Sequence, residues 1–216
     1  MHCLCPPPML ARLADATGNE IYLDYMNEMW WDATAFLYDP DEKLYYRDDR
    51  FRIKEDGSGR REKNGEKVFW SRGNGWVMAG MARLMDYMPV GYTDREKYVS
   101  LFKEMAEKIA SIQGKDGLWK SSLLYPEGHD HGETSGTGFY CYALAWGMNN
   151  GILDKEEFLP VVIRAWNGLN SAVLPSGKIG WVQQIGFAPD EIHKDMTETY
   201  GAGAYLLAGS EMFKLL

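Results

Sequence analysis

The sequence is short of cysteine, of positive charge and of long apolar runs. It has three cysteines in 216 residues, Cys3, Cys5 and Cys141. An odd count without a repeating frame excludes a disulfide scaffold. The one-residue gap between Cys3 and Cys5 is poor zinc spacing, and no second pair follows. Lysine and arginine number 23 against 31 acidic residues, for a net charge of −8. A nucleic-acid backbone is therefore excluded as the main partner. An anionic substrate would need locally placed arginines, because the overall field repels it. No run of 18 apolar residues occurs, so no membrane span and no membrane partner are expected. The first residues do not read as a secretory signal. A leader would lie upstream of Met1, which leaves cytoplasm and periplasm both open. Neither cofactor nor metal is expected. His129 and His131 flank Asp130 in a loop and read as exposed polarity. Asp39-Pro40-Asp41 fails as a calcium loop, since Lys43 takes its fifth position and Arg50 its twelfth.

What is present is apolar and aromatic. Hydrophobic residues make up 45%, with 8 Trp and 13 Tyr. That suffices for one globular domain, residues 1–216, with a large core. Residues 6–17 begin with prolines, carry apolar residues at helical spacing and end at Gly18, which predicts a short helix. Asn19 can cap a second helix to Leu37, with Tyr22, Tyr25, Met26, Met29, Trp30, Ala33 and Phe36 on one face. Leu44-Tyr45-Tyr46 reads as extended, and residues 55–66 as a polar loop. A third helix runs to Met88, before Pro89. Thr93 with Glu96 predicts a capping box for a fourth helix, to Gln113. A fifth helix runs to Asn149, a sixth spans Lys155–Val173, and a seventh starts near Thr197.

One stretch organises the rest: Phe69-Trp70-Ser71-Arg72-Gly73-Asn74-Gly75-Trp76. Two indoles and a guanidinium can stack on a sugar ring and hold a carboxylate. Two core tryptophans at a helix start would give the same residues, so both readings stand. The pattern recurs. An amphipathic helix ends, a short Leu-Tyr-Tyr, Leu-Trp or Ile-Gly-Trp piece follows, and Ser or Thr with close glycines opens a more apolar helix. This happens at 71–75, 135–138 and 197–203. Such a degenerate repeat predicts an inner layer of glycine-headed helices and an outer amphipathic layer. Function should cluster where the inner helices begin, because their free N–H groups converge there.

These residues resemble the family 105 glycoside hydrolases, the unsaturated rhamnogalacturonyl hydrolases, and more distantly the family 88 unsaturated glucuronyl hydrolases. The carriers are residues 69–76, then Glu133-Thr134-Ser135-Gly136-Thr137 with Tyr142-Ala143-Leu144, then Gly180-Trp181-Val182-Gln183-Gln184-Ile185-Gly186, and Thr197-Glu198-Thr199-Tyr200-Gly201-Ala202-Gly203-Ala204. The resemblance implies an all-α fold of the (α/α)6-barrel type, a six-hairpin toroid, here a partial barrel of about seven helices. It implies release of a 4,5-unsaturated uronic acid from the non-reducing end of lyase-generated pectin-type oligosaccharides. The implied chemistry is enol-ether hydration: an aspartic acid protonates C4, water adds at C5, and the hemiketal opens. That acid needs a raised pKa. By the same resemblance Arg72 faces the uronate carboxylate, and Trp70 and Trp76 pack the ring. Tyr46, Arg47, Asp48, Thr134 and Ser135 complete the substrate-binding set. Many relatives carry a histidine near Arg47, so this chain departs from the pattern there.

A larger departure stands at the start. Relatives carry a segment like Asp-Ala-Leu-Phe-Met before the proline-rich helix, and its catalytic aspartate aligns with Met1. Met1-His2-Cys3-Leu4-Cys5 can be written ATG CAC TGT TTA TGT. One frame over, with a G in front, that is Asp-Ala-Leu-Phe-Met. The expectation is a frameshifted C-terminal portion that lacks the acid. Two rivals remain. One is a carbohydrate-binding or non-functional fragment without turnover. The other is an ordinary glycosidase using Asp48 and Glu133 as acid and base. Three hairpins and one extra helix cannot close a six-hairpin ring. The surface near Val77, Met81 and Leu84, and near Leu206 and Leu207, is therefore expected to be uncovered, which predicts self-association.

Overall fold

The computed structural model describes residues 6–215. Met1, Cys3 and Cys5, on which the frameshift reading rests, lie outside them. Seven α-helices carry the described fold: α1 (Pro6–Thr17), α2 (Ile21–Leu37), α3 (Ser71–Met85), α4 (Arg95–Ser111), α5 (Thr134–Asn149), α6 (Lys155–Ser171) and α7 (Thr199–Leu215). Between α2 and α3, β1 (Tyr38–Asp39) pairs antiparallel with β2 (Leu44–Tyr45). The extended reading of Leu44-Tyr45 is thus a minimal hairpin. Helix α3 packs against α1, α4 and α5, and α5 against α6 and α7. The layering follows the sequence pattern for α3 and α5, which lie inside with α2, α4 and α6 outside, whereas α7 packs one face on α5 and leaves the other open at Leu206 and Phe213. Helix α1 lies against α2 and α3, with only Pro7, Ala11 and Ala14 buried among its described residues.

Helices α3 and α5 are inner because they are apolar nearly all round. In α5 every residue from Thr134 to Met148 is buried. A helix with no polar stripe must be enclosed. The glycines let neighbouring helices touch. A Cβ at Gly138 would lie 2.8 Å from the Ala204 Cβ and 3.0 Å from its carbonyl carbon, so only glycine allows α5 to meet α7 this closely. Aromatic side chains fill the space between layers. Trp30 and Trp31 of α2 pack on Tyr98 of α4, at 5.6 and 5.0 Å between ring centroids. The Trp119 indole, fully buried, donates to the Ile109 carbonyl at 2.8 Å, so its polar edge is satisfied. Asn74 of the central motif ties β2 to α3. Its Oδ1 accepts from Tyr45 N at 2.7 Å and its Nδ2 donates to the Tyr45 carbonyl at 3.0 Å.

Several expectations need correction. The capping box at Thr93 does not form. Asp94 holds the N-cap without capping through its side chain, which instead accepts from Asn27 Nδ2 at 2.7 Å and pairs with Lys97 at 2.7 Å. The helix starts one residue later than the box requires. On α2 the core stripe is Leu23, Met26 and Trp30, while Tyr25 and Phe36 are exposed. Val77, Met81 and Leu84 are fully buried, because α1 and α4 cover α3. Of the other expected pair, Leu206 is 69% exposed, while Leu207 is partly buried against the core. Helix ends differ from the reading by two or three residues, at Met85, Ser111, Ser171 and Thr199.

Candidate functional site

The heads of α3, α5 and α7 converge on one residue of the loop before α7, Gln183. It is 2% exposed. Its side-chain oxygen accepts from the Trp70 indole N–H at 2.8 Å. Its side-chain amide donates to the Ala188 carbonyl at 2.7 Å. Its own carbonyl accepts from the Tyr200 hydroxyl at 2.7 Å and from Arg72 Nη1. Arg72 Nη2 donates to the Gln184 carbonyl at 2.9 Å, and Nη1 reaches Ser135 Oγ at 3.5 Å. The guanidinium lies between two rings, 4.5 Å from the Trp70 centroid and 4.6 Å from that of Tyr200. Cation–π contact suits this weakly hydrated, planar cation. Arg72 is 3% exposed, so the motif's arginine is a buried clamp on the 183–184 backbone.

The other residues expected at the site divide into three groups. Thr134 and Ser135 join the Arg72 cluster at the head of α5. Thr134 Oγ1 donates to the Gly180 carbonyl at 2.7 Å, and Ser135 Oγ to Glu133 Oε1 at 2.6 Å. Tyr46, Arg47 and Asp48 form a neighbouring group. Arg47 lies 5.9 Å from both the Trp70 and the Phe187 ring centroids. Tyr46 donates to Asp39 Oδ2 at 2.6 Å and packs on Phe69, which makes it a core residue with its hydroxyl engaged. Trp76 stands apart, half-buried against Phe139 at 4.2 Å. It lines a groove of about 490 Å³ with Met9, Arg12, Arg83 and Leu207. Gln183 and Tyr200, which do most of the joining, belong to the quoted motifs but were not expected as site residues. Their role comes from long-range bonds that no local pattern carries.

Asp48 and Glu133 are each held by their own neighbours. Hydrogen bonding to the Arg50 guanidinium, with Arg47 nearby, lowers the Asp48 pKa to about 2. A proton donor needs the opposite shift. Glu133 is fully enclosed and caps α5 through Ser135 N and Gly136 N. Because the folded pKa of Asp48 lies below the usual 3.8, its stabilising effect is present above pH 4 and is lost as pH falls toward 2. The group is largely solvent-screened, so the contribution is below about 1 kcal/mol. Asp48→Asn is expected to lower Tm slightly at pH 7, and the difference should shrink by pH 2.5. A gap that widens on acidification would contradict this.

The loop histidines are half-buried, not the exposed polarity expected of them. His131 stacks on Trp181 at 3.8 Å, and burial lowers the pKa of His129. Among the described residues no group of three or more His, Cys, Asp or Glu side chains could hold a metal ion. Asp39 is engaged by Lys67, Tyr46 and the backbone N–H groups of Asp41 and Glu42. No helix among the described residues is long and apolar enough to cross a membrane.

The model of glycosyl hydrolase family 88 matches residues 4–216. The chain belongs to this family. Two curated relatives are both named unsaturated 3S-rhamnoglycuronyl hydrolase. One, from Formosa agariphila, is 47% identical over 97% of this chain and 55% of its own length. The other, from an Alteromonas species, is 39% identical over 95% of this chain and 48% of its own. The chain therefore spans about half the length of these relatives. A solved family 88 structure from Bacteroides vulgatus superposes with a TM-score of 0.93 at 34% identity, over 99% of this chain and 62% of that one. An unsaturated glucuronyl hydrolase from Streptococcus, solved with dGlcA-GalNAc6S, shares the fold at 17% identity with a TM-score of 0.71, over 98% of this chain and 57% of that one. The described helices are thus part of a six-hairpin glycosidase fold.

Proposed function

We propose that this chain forms the substrate-holding part of a family 88 site, which takes a 4,5-unsaturated uronic acid at the non-reducing end of an oligosaccharide. The likeness to two unsaturated 3S-rhamnoglycuronyl hydrolases along nearly the whole chain carries the reading. The Trp70–Arg72–Tyr200 cluster supports it chemically. Arg72 donates three N–H groups to Gln183, Gln184 and Ser135. A guanidinium has five, so Nε–H and one Nη2–H remain for a carboxylate. Trp70 packs the ring, while Trp76, set apart against Phe139, is left out of the sugar-holding group. Arg47, paired with Asp48, lies beside Trp70, while Thr134 holds the Gly180 carbonyl, Ser135 links Glu133 to Arg72, and Tyr46 anchors Asp39. The whole site works by enol-ether hydration. Its proton donor aligns with Met1, outside the described residues.

The expected behaviour of this chain is binding without turnover. Unsaturated galacturonyl-rhamnose is added, and the ultraviolet absorbance of the double bond is followed beside tryptophan emission. The emission should titrate while the absorbance holds. Falling absorbance would show that the chain contains its acid, and unchanged emission would remove the substrate-holding role. A saturated aryl glycoside run alongside should stay intact, and its cleavage would restore the ordinary-glycosidase reading.

A further inference from the structure

Four donors converge on the carboxylate of Glu133. Ser135 N and Gly136 N bind it at 3.1 and 2.7 Å, and Ser135 Oγ at 2.6 Å. These three are the local cap of α5. The fourth is Gln183 N, at 3.1 Å and 50 residues away. A helix cap alone does not need this arrangement. Short side chains are preferred at N-caps, and Asp154 caps α6 with one bond, to Glu157 N, in an exposed setting. A fully buried carboxylate is costly unless its acceptor sites are filled, and here the fill comes from two elements at once. The longer reach of glutamate is what lets one side chain serve both.

On the reading of the site given above, we infer that Glu133 and Gln183 are positioning residues for its sugar-holding side chains. Residue 183 presents its N–H to an anion, Glu133, and its C=O to a cation, Arg72. Charge-assisted bonds on both sides fix the loop backbone more firmly than neutral ones would. With the 183 and 184 carbonyls fixed, the Arg72 guanidinium is held between Trp70 and Tyr200 in one orientation. The Gln183 side chain fixes the Trp70 ring through its indole N–H. Glu133 therefore touches no sugar and acts through Gln183 on the two residues that would. The same bonds explain a chain of buried polar groups (Glu133, Ser135, Gln183 and Arg72) that an apolar inner layer does not otherwise require.

The test is a double-mutant cycle with Glu133→Gln and Arg72→Lys, read in two ways. Glu133→Gln puts an amide donor where donors already point. Backbone hydrogen exchange at 182–184 should rise about tenfold in this variant without ligand, as expected for a lost buried charge-assisted bond. Affinity for unsaturated galacturonyl-rhamnose should fall about tenfold in Glu133→Gln and further in Arg72→Lys. The double variant should be no weaker than Arg72→Lys alone, because coupled residues do not add. Gln183→Met leaves the α5 cap and the backbone carbonyls in place. It should still weaken binding and alter the near-ultraviolet circular dichroism of Trp70, and it carries the test if Glu133→Gln does not fold. Additive losses, unchanged exchange at 182–184, or wild-type binding by Gln183→Met would each overturn the positioning role. If the wild type binds no disaccharide, the proposed function fails, and the exchange measurement still decides whether Glu133 fixes the 183–184 backbone.

Discussion

The chain is expected to sediment as a dimer or larger species at micromolar concentration, and Met9→Lys with Leu206→Lys should return it to a monomer. The reason lies on the open side of the inner layer. Met9 of α1 and Leu206 of α7 are 63% and 69% exposed. Between these helices runs the groove of about 490 Å³, lined by Trp76, Phe139 and Leu207 with Arg12 and Arg83. Apolar surface of this extent draws a partner. Removing each exposed side chain from water contributes on the order of 1–2 kcal/mol. Losing two should raise Kd roughly a hundredfold, at about 1.4 kcal/mol per decade. Lysine is chosen over glutamate because the groove already holds two arginines, so added positive charge repels. Both positions are exposed, and the fold should survive. A single monomer boundary for the wild type, without binding of a hydrophobic dye, would refute the expectation.

The second large effect concerns the contact between α5 and α7. Gly138→Val should lower Tm by about 6–12 °C. The new side chain would begin 2.8 Å from Ala204 Cβ, against helix backbone that has no flexible end to move. Overpacking at such a point costs about 3 kcal/mol, and a chain of this size loses about 2–4 °C per kcal/mol. Gly203→Ala is the control, because nothing lies within 4 Å of a Cβ there. It should hold Tm or raise it slightly, since alanine is the better helix former. Equal losses at both positions would mean that close packing at Gly138 is not the cause.

The helices were legible because their apolar spacing is local, and so were the glycine-rich heads of α3 and α5. What was not legible depends on distant partners. Thr93 looked like a cap because the local sequence does not show that α4 begins at Arg95, with Asp94 at its N-cap tied to Asn27 of α2. Val77 looked uncovered because nothing near it reveals that α1 lies across α3. At the site, Trp70, Arg72, Thr134 and Ser135 do come together. Arg72 read as an open carboxylate clamp because arginine beside tryptophan suits one, yet the carbonyls that enclose it are more than 100 residues on. Gln183 gave no sign of its own. Its role exists only once three helix heads meet.

The inner contacts run in chain order, α1 to α3, α3 to α5, α5 to α7. Seen this way the molecule behaves as a short linear array, with stability passed from neighbour to neighbour. Helix α5 touches α3, α6 and α7. It should therefore be the last to yield to local opening. The Arg72 cluster sits at the heads of α3, α5 and α7, and its outermost member is Tyr200, which is half-buried. Whatever steadies α7 from outside also steadies that wall of the site.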